Sequence, residues 1–302
     1  MTQLWISKIV TVTKEMTTKK NTVVEEIMEK SGNGFHSRVV KLLRDQKWNV
    51  LVSPYYSDNF TDKPREIDII AERKFDVKEF INDWLGTLNI RLFIECKYIT
   101  GDTVFWFDKK DIARATDRIM SDTGMDHPSH NINIQEMHYY LDVPVAKLFS
   151  SEKSRGEDNE LVNKAINQNL NALVYYRNRT DLIPPDPQFR EKVLRRVSYP
   201  IIVVNSFEHF YRTDMSDDTG KVEPITEPFQ LEVNYAYIDK DRTGHNEYFL
   251  IDVVSIDKLP EFLAKLENTD IQAVIRKIAW EERYERNQRQ NRENNSSINP
   301  AR

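Results

Sequence analysis

An apolar stretch interrupted by two charges constrains this chain more than any other part of its sequence. Residues 91–99, RLFIECKYI, are rich in β-branched and aromatic side chains, which predicts a short and largely buried strand. Side chains alternate between the two faces of a strand, so Glu95 and Lys97 share one face and Cys96 lies on the other. Removing such charges from water is costly unless partners compensate. A divalent metal ion and a phosphate group are partners of that kind.

A second acid lies in a similar setting upstream. Residues 65–72 read REIDIIAE, and Asp68 interrupts the aliphatic residues of this second predicted strand. The acid-x-Lys pattern alone carries little information, because other segments also contain it, among them residues 45–47, 76–78 and 108–110, which lie in polar or helical surroundings. Only Glu95 and Lys97 combine the pattern with an apolar strand and a preceding acid. The arrangement predicts a metal site shared by two strands or, alternatively, an ion-paired edge strand without chemistry.

Asp68 followed by Glu95-Cys96-Lys97 resembles the motif of the PD-(D/E)xK nuclease superfamily, and the chain looks most like the Mrr-type restriction endonucleases. Upstream, residues 34–53, GFHSRVVKLLRDQKWNVLVS, are similar to that family's first helix and first strand. The resemblance covers roughly residues 34–100. It implies an α/β fold of the restriction-endonuclease type, with a mixed sheet core flanked by helices.

The resemblance implies a role for each residue of the motif. Asp68 and Glu95, together with the backbone carbonyl of Cys96, would hold Mg²⁺ through hard oxygen ligands, and Mn²⁺ could replace it. Lys97 would orient a water molecule or stabilise negative charge on the phosphate. Cys96 itself points away and reads as a small buried side chain.

Two further residues relate to the same motif. His36 stands where the resembled family commonly has a glutamate that helps to hold metal, so it is a candidate ligand; a histidine without any metal role is the alternative. This departure leaves the number of metal ions open. Gln168 is a candidate accessory residue, because some families of the superfamily carry a glutamine on the helix after the acid-x-Lys strand.

Four cations downstream are candidate DNA contacts: Lys109, Lys110, Arg114 and Arg118. The last three follow one another at four-residue steps, which places them along one face of a predicted helix. Such a stripe could bind backbone phosphates. The alternative is an ordinary solvated face, because three acids are interleaved with the cations: Asp108, Asp111 and Asp117.

Periodicity and turn residues predict the remaining elements. Helices are predicted at 35–46, at a short patch over 77–85, at 161–175 and within 257–280; strands are predicted at 48–56, 195–206, 229–238 and 247–256. The 195–206 strand is expected to follow a crossover through the 161–175 helix. The predicted division is an N-terminal extension (1–33), a nuclease core (34–206) with a helical insertion at about 102–155, a C-terminal α+β extension (207–280) packed on that core, and a tail (281–302) that is disordered or helical by continuation.

Composition limits the function classes. A chain of 302 residues with a single cysteine cannot form an intrachain disulfide framework, and it lacks a secretory signal pattern, so a cytoplasmic location is expected. No apolar run reaches the roughly 18 residues of a membrane span. The net charge of −5 neither supports nor excludes DNA binding, because a local basic face would suffice.

The expected function is that of a metal-dependent endonuclease that hydrolyses DNA. The resemblance further implies a role in restriction or phage defence, with a defence-system partner protein as one expectation. Double-strand cutting usually needs paired active sites, so a homodimer is expected. Two alternatives stay open: a relative that cuts RNA or branched DNA, and a nuclease-fold module that no longer cuts and serves in DNA binding or protein assembly.

Overall fold

The computed structural model describes the chain from residue 32 to residue 298, with gaps. The described ranges are 32–78, 83–123, 137–151, 158–177, 182, 192–216, 220–239 and 241–298. The helices are α1 (Gly32–Asp45), α2 (Ile112–Thr123), α3 (Asp158–Tyr176), α4 (Leu259–Leu266) and α5 (Gln272–Ile298), and a π-helical turn (Glu267–Ile271) joins α4 to α5. The strands are β1 (Asn49–Val52), β2 (Tyr55–Ser57), β3 (Pro64–Glu66), β4 (Ile69–Lys78), β5 (Trp84–Lys97), β6 (Thr103–Asp108), β7 (Val145–Ser151), β8 (Val193–Val204), β9 (Phe210–Asp214), β10 (Glu223–Pro224), β11 (Phe229–Ile238) and β12 (Gly244–Ser255).

Within these residues, ten strands form one mixed sheet in the order β1-β4-β5-β8-β12-β11-β7-β6-β9-β10, and β2 and β3 form a separate ribbon. The pairs β1–β4 and β4–β5 are antiparallel, whereas β5–β8 and β8–β12 are parallel. The chain passes from β5 to its parallel neighbour β8 through α3, as the sequence predicted. The predicted α/β class is therefore confirmed. Among the described helices, none is long and apolar enough to cross a membrane.

Two hydrophobic clusters cover the two faces of the sheet. On the first, which we call the α1 face, α1 buries Phe35 and Val39 against strand residues such as Leu92 and Ile94. On the second, which we call the α3 face, Phe93 packs in the cluster formed with apolar residues of α3. Successive residues of β5 thus alternate between two buried faces, which explains why this strand is almost continuously apolar.

The structure corrects two local predictions. The helical patch over 77–85 is wrong, because Val77 ends the regular part of β4 and Leu85 lies in β5; residues 79–82 are outside the described part. Both side chains are buried, so pairing the two long strands removes more apolar surface from water than an exposed helix would. The predicted 48–56 strand is divided at Ser53, whose φ of 53° breaks the extended backbone.

Strands from the expected core, insertion and C-terminal extension belong to one sheet. Strands from the expected insertion (β6, β7) and from the expected C-terminal extension (β9, β11, β12) all belong to the sheet that contains β5 and β8. The start of the chain, residues 1–31, lies outside the described part. Of the two possibilities for the tail, helical continuation is observed, because α5 extends to Ile298.

A buried asparagine fixes α3 on the sheet. Pro200 lies in the central strand β8 opposite Phe93 of β5, and proline has no N–H to donate to the ladder. The side-chain amide of Asn169 donates instead to the carbonyls of Phe93, at 2.8 Å, and of Ile201, at 2.9 Å. The helix is thereby attached to two strands at once, two residues before Glu95.

A buried ion pair lies farther along the same face. Arg91 and Glu72 are direct partners in the β4–β5 register, and the Arg91 Nε donates to Glu72 Oε1 at 2.5 Å. Arg91 also donates to the carbonyl of Tyr176 at the last residue of α3, where a cation is favoured. Both charged side chains are buried, so each depends on the other for compensation.

We expect Arg91→Ala to lower the free energy of unfolding by about 3–5 kcal/mol, because the substitution leaves the Glu72 carboxylate buried without its main cation. The double variant Arg91→Leu/Glu72→Leu should recover a large part of the loss, since it removes both charges. Urea denaturation of the three proteins measures the effect. A loss below about 1 kcal/mol in Arg91→Ala would contradict this account.

Candidate functional site

Asp68 and Glu95 are neighbours across the β4–β5 pair. Ile69 pairs with Ile94, so Asp68, one residue before β4, lies opposite Glu95. Two hydrogen bonds link the positions: the backbone N–H of Cys96 donates to Asp68 Oδ2 at 2.7 Å, and the backbone N–H of Asp68 donates to Glu95 Oε1 at 3.4 Å. The structure therefore brings together the two acids that the sequence selected.

The sequence predicted that Asp68 lies inside a strand, but the backbone at Asp68 forms a bend just before β4. The N–H of Ser53 donates to the carbonyl of Asp68 at 2.8 Å, and the N–H of Ile67 donates to the carbonyl of Pro54 at 3.2 Å. From α3, the amide of Gln168 donates to the carbonyl of Glu66 at 3.1 Å. These bonds hold the bend from both sides, which fixes where the Asp68 carboxylate points.

Lys97 lies between the two carboxylates. Its Nζ is 2.7 Å from Glu95 Oε2 and 3.9 Å from Asp68 Oδ2. Glu95 is fully buried, whereas 27% of the Asp68 side chain remains accessible to solvent. Cys96 packs against the α1-face cluster, so the predicted alternation of Glu95 and Lys97 against Cys96 is observed. The site is thus buried at Glu95 and open to solvent at Asp68.

Burial dominates the electrostatics of Glu95. It is the largest cause of a pKa that is raised from the ordinary value of 4.5 to about 8; the Lys97 ammonium opposes this rise, and the charge of nearby Asp68 adds to it. Burial opposes the charge on Lys97, but the two carboxylates outweigh it and raise the pKa of the amine. The two carboxyl groups therefore share a single ammonium, and an additional cation would stabilise their charged forms.

Tyr56 is a site residue that the sequence did not single out. Burial raises the pKa of its phenol, and the second cause is the charge of Glu95, so the two groups are within electrostatic reach. Its ring packs beside that of Tyr175 on α3, with centroids 6.2 Å apart. Nothing in the local sequence distinguishes Tyr56 from an ordinary core tyrosine, because the ribbon that positions it is a feature of the tertiary fold.

The structure does not join His36 to the acids. His36 lies on α1, which packs on the α1 face, whereas Glu95 and Lys97 project toward the α3 face. No hydrogen bond or ion pair within the described residues connects it to Asp68, Glu95 or Lys97. Its Nε2 is buried without a hydrogen-bond partner. Gln168, in contrast, contacts the bend that carries Asp68 and leaves its own Oε1 buried and unpartnered.

The expected stripe of DNA-contacting cations is corrected by the structure. Lys110 is 5% exposed and donates to the carbonyls of Tyr139, at 3.1 Å, and Leu141, at 2.8 Å. Arg118 is 6% exposed and pairs with Glu247. Lys110 precedes α2, which begins at Ile112, so the predicted stripe does not lie on one helical face, and Arg118 is turned into the protein. Arg114 and Lys109 remain exposed.

The charge and oxygen content of the site fit a hard divalent cation. Among the described residues, no three His, Cys, Asp or Glu side chains are grouped closely enough to hold a metal ion. Asp68 and Glu95 nevertheless supply two adjacent carboxylates with a single shared ammonium, and backbone oxygens are legitimate additional ligands for Mg²⁺ or Mn²⁺. The raised pKa of Glu95 indicates incomplete compensation of its charge, which a cation would supply.

The buried carboxyl of Glu95 should make stability depend on pH. Between pH 4.5 and about 8 the folded protein keeps a proton on Glu95 that the unfolded chain has released, so stability falls as pH rises through this window. The slope from this group is at most about 1.4 kcal/mol per pH unit. Glu95→Gln removes this titrating group. The free energy of unfolding of the variant, relative to that of the unsubstituted protein, should therefore rise between about pH 5 and about pH 8. Chemical denaturation across this range tests the expectation, with the exposed Asp76→Asn as control; parallel curves for the three proteins would contradict it.

Known proteins provide no independent identification of this site. Comparison of the chain with protein-family models, with curated proteins and with solved structures found no match. The basis for a functional assignment is accordingly the arrangement of Asp68, Glu95 and Lys97 and the chemistry of these three groups.

Proposed function

We propose that this protein is a metal-dependent endonuclease that hydrolyses phosphodiester bonds in DNA. The observation that carries the proposal is the meeting of Asp68 and Glu95 across β4 and β5, with the Lys97 ammonium within 2.7 Å of one carboxylate and 3.9 Å of the other. Two acids and one amine at the partly open end of buried strands are the groups that a cation and a phosphate require. Their desolvation is difficult to explain as a contribution to stability alone.

The order of elements supports the same proposal. The helix α1 leads into β1, the antiparallel strands β4 and β5 follow, and α3 crosses over to the parallel strand β8. This order agrees with the restriction-endonuclease-like core expected from the resemblance to PD-(D/E)xK nucleases. The acid-x-Lys segment stands at the end of β5, beside the bend at Asp68.

Each site residue has a separate role in the proposed hydrolysis. Asp68 and Glu95 would hold Mg²⁺, and the Cys96 carbonyl is available beside them, because the N–H of the same residue already points toward Asp68. Mg²⁺, when bound, would lower the pKa of water and offset charge on the phosphate. Lys97 would donate to a phosphate oxygen or to the attacking water, which its flexible stem permits. Gln168 keeps the Asp68 bend in place from α3.

The biological setting follows from the resemblance alone. A restriction or phage-defence role is part of the proposal as a class of function. Cutting both strands of a duplex requires two sites, so the proposal includes a homodimer. A partner protein of a defence system belongs to the same proposal.

One observation favours a second candidate function. Lys97 already bridges the two acids, and His36 provides no third ligand at the site. In a nuclease-fold module that binds DNA or another protein without cutting, the two acids and Lys97 would form an ion-pair network that only stabilises the fold. Metal binding distinguishes the candidates, because a structural network has no need of a cation.

Asp68→Asn, Glu95→Gln and Lys97→Ala should each reduce Mg²⁺-dependent cleavage of supercoiled plasmid by at least about 100-fold, because each removes a charged group from the reaction site. The chain provides a matched control. Asp76 and Lys78 have the same acid-x-Lys spacing on β4 and form an exposed pair at 3.6 Å. Asp76→Asn and Lys78→Ala should cut like the unsubstituted protein. Substantial cutting by any two of the three site variants would refute the assignment.

Mg²⁺ and Mn²⁺ should raise the melting temperature of the unsubstituted protein, because a ligand that binds only the folded state stabilises it. The increase should be larger at about pH 8 than at about pH 6, since bound metal requires the deprotonated Glu95 carboxylate. Asp68→Asn and Glu95→Gln should lose most of the increase. An equal metal effect in all three proteins would favour the module that does not cut.

A further inference from the structure

The exposed side of α1 carries a row of cations that the site does not use. Arg38, Lys41 and Arg44 are exposed, while the opposite side of the helix is buried on the sheet. At three-residue steps they follow one another by about 4.5 Å along the helix axis, so the row is about 9 Å long. Long flexible side chains at this spacing can reach successive phosphates of one nucleic-acid strand.

These cations have no carboxylate partner within the described residues. No salt bridge between described side chains involves Arg38, Lys41 or Arg44, and the helix has no acid in its first turn. Asp45 is the one acid between Gly32 and Lys47. In a chain with a net charge of −5, this row is therefore a local basic surface.

A chain of contacts connects the row to the candidate site. Tyr98 directly follows Lys97, and its ring meets that of Phe35 edge-on, with centroids 6.3 Å apart. The guanidinium of Arg38 lies 5.8 Å from the centroid of Phe35. Tyr98 is itself 52% exposed, so an aromatic surface lies between the site and the cations. The row begins beside Tyr98, at the end of β5, but on the α1 face, whereas Glu95 and Lys97 project toward the α3 face at the same end. A duplex that spans this end of the sheet would contact both the site and the row.

We propose that the row Arg38, Lys41 and Arg44 is the surface on which the protein holds the DNA backbone beside the Asp68–Glu95 site. This inference rests on the proposed function and assigns the DNA contacts to α1 in place of the predicted cations between Lys109 and Arg118. Charge complementarity selects the partner, because unpaired cations in a row bind a regular polyanion better than an isolated anion. Phosphate contacts of this kind position the duplex and carry no sequence information.

The test compares Arg38→Ala/Lys41→Ala/Arg44→Ala with the unsubstituted protein by fluorescence anisotropy of a labelled duplex in EDTA, over a series of salt concentrations. The slope of log affinity against log salt should become shallower by about 0.9 for each lost contact, or about 2.7 in total. Arg38→Lys/Arg44→Lys keeps the charges and should keep the slope. Circular dichroism checks that each variant is folded.

A control variant removes the same number of positive charges on and beside α5. Lys192 directly precedes the start of β8 and pairs with Glu282 of α5 at 3.6 Å, and Arg283 and Arg289 lie on α5. This start of β8 is beside Thr87, eight residues before Glu95 on β5, or about 26 Å away. Lys192→Ala/Arg283→Ala/Arg289→Ala should bind duplex like the unsubstituted protein.

The outcomes separate this surface from the proposed function. Unchanged affinity and slope in the α1 triple variant overturn the surface, as does an unsubstituted protein that binds no duplex. Cleavage of plasmid by the unsubstituted protein would keep the proposed function even then. Loss of binding in the triple variant, with no cleavage by any protein, supports the surface and rejects the endonuclease. An equal loss in the control variant reduces the effect to net charge and overturns the surface.

Discussion

The register between β4 and β5 is the constraint on which the rest of the site depends. It pairs Ile69 with Ile94 and so places Asp68 opposite Glu95. A shift of one residue would turn Glu95 and Lys97 into the apolar cluster of the α1 face, where no partner compensates them. The aliphatic residues of both strands therefore determine the position of the acids, because only one register buries these aliphatic side chains on both faces of the sheet.

The α3 face of these two strands carries two charged pairs with different surroundings. Glu72 and Arg91 are both buried, and Arg91 has a further acceptor at the end of α3. Asp68 and Glu95 share one ammonium, and Asp68 reaches solvent. The first pair is closed and suits a structural role, whereas the second combines a deeply buried acid with an accessible one. This difference within one pair of strands is the physical argument for assigning chemistry to the second pair alone.

The sequence was sufficient for the parts of the structure that local patterns determine. Alternation on residues 91–99 correctly separated Glu95 and Lys97 from Cys96, and the crossover through α3 followed from a helix between two apolar strands. The sequence did not reveal where individual side chains lie within the tertiary fold. The spacing of Lys110 and Arg118 suggested one exposed helical face, but Lys110 precedes α2 and both side chains are buried. Tyr56 reaches Glu95 only because a ribbon outside the main sheet turns it inward.

The strand order has a consequence for the assembly of the molecule during synthesis. β12 and β11, which come late in the chain, lie between β8 and β7 and so connect the strands of the site to those of the middle segment. Until the ribosome has released residues 229–255, β6 and β7 have no route of pairing to β5 and β8. The growing polypeptide must keep two half-sheets apart with unpaired edges, and such edges are prone to pair with the wrong neighbour.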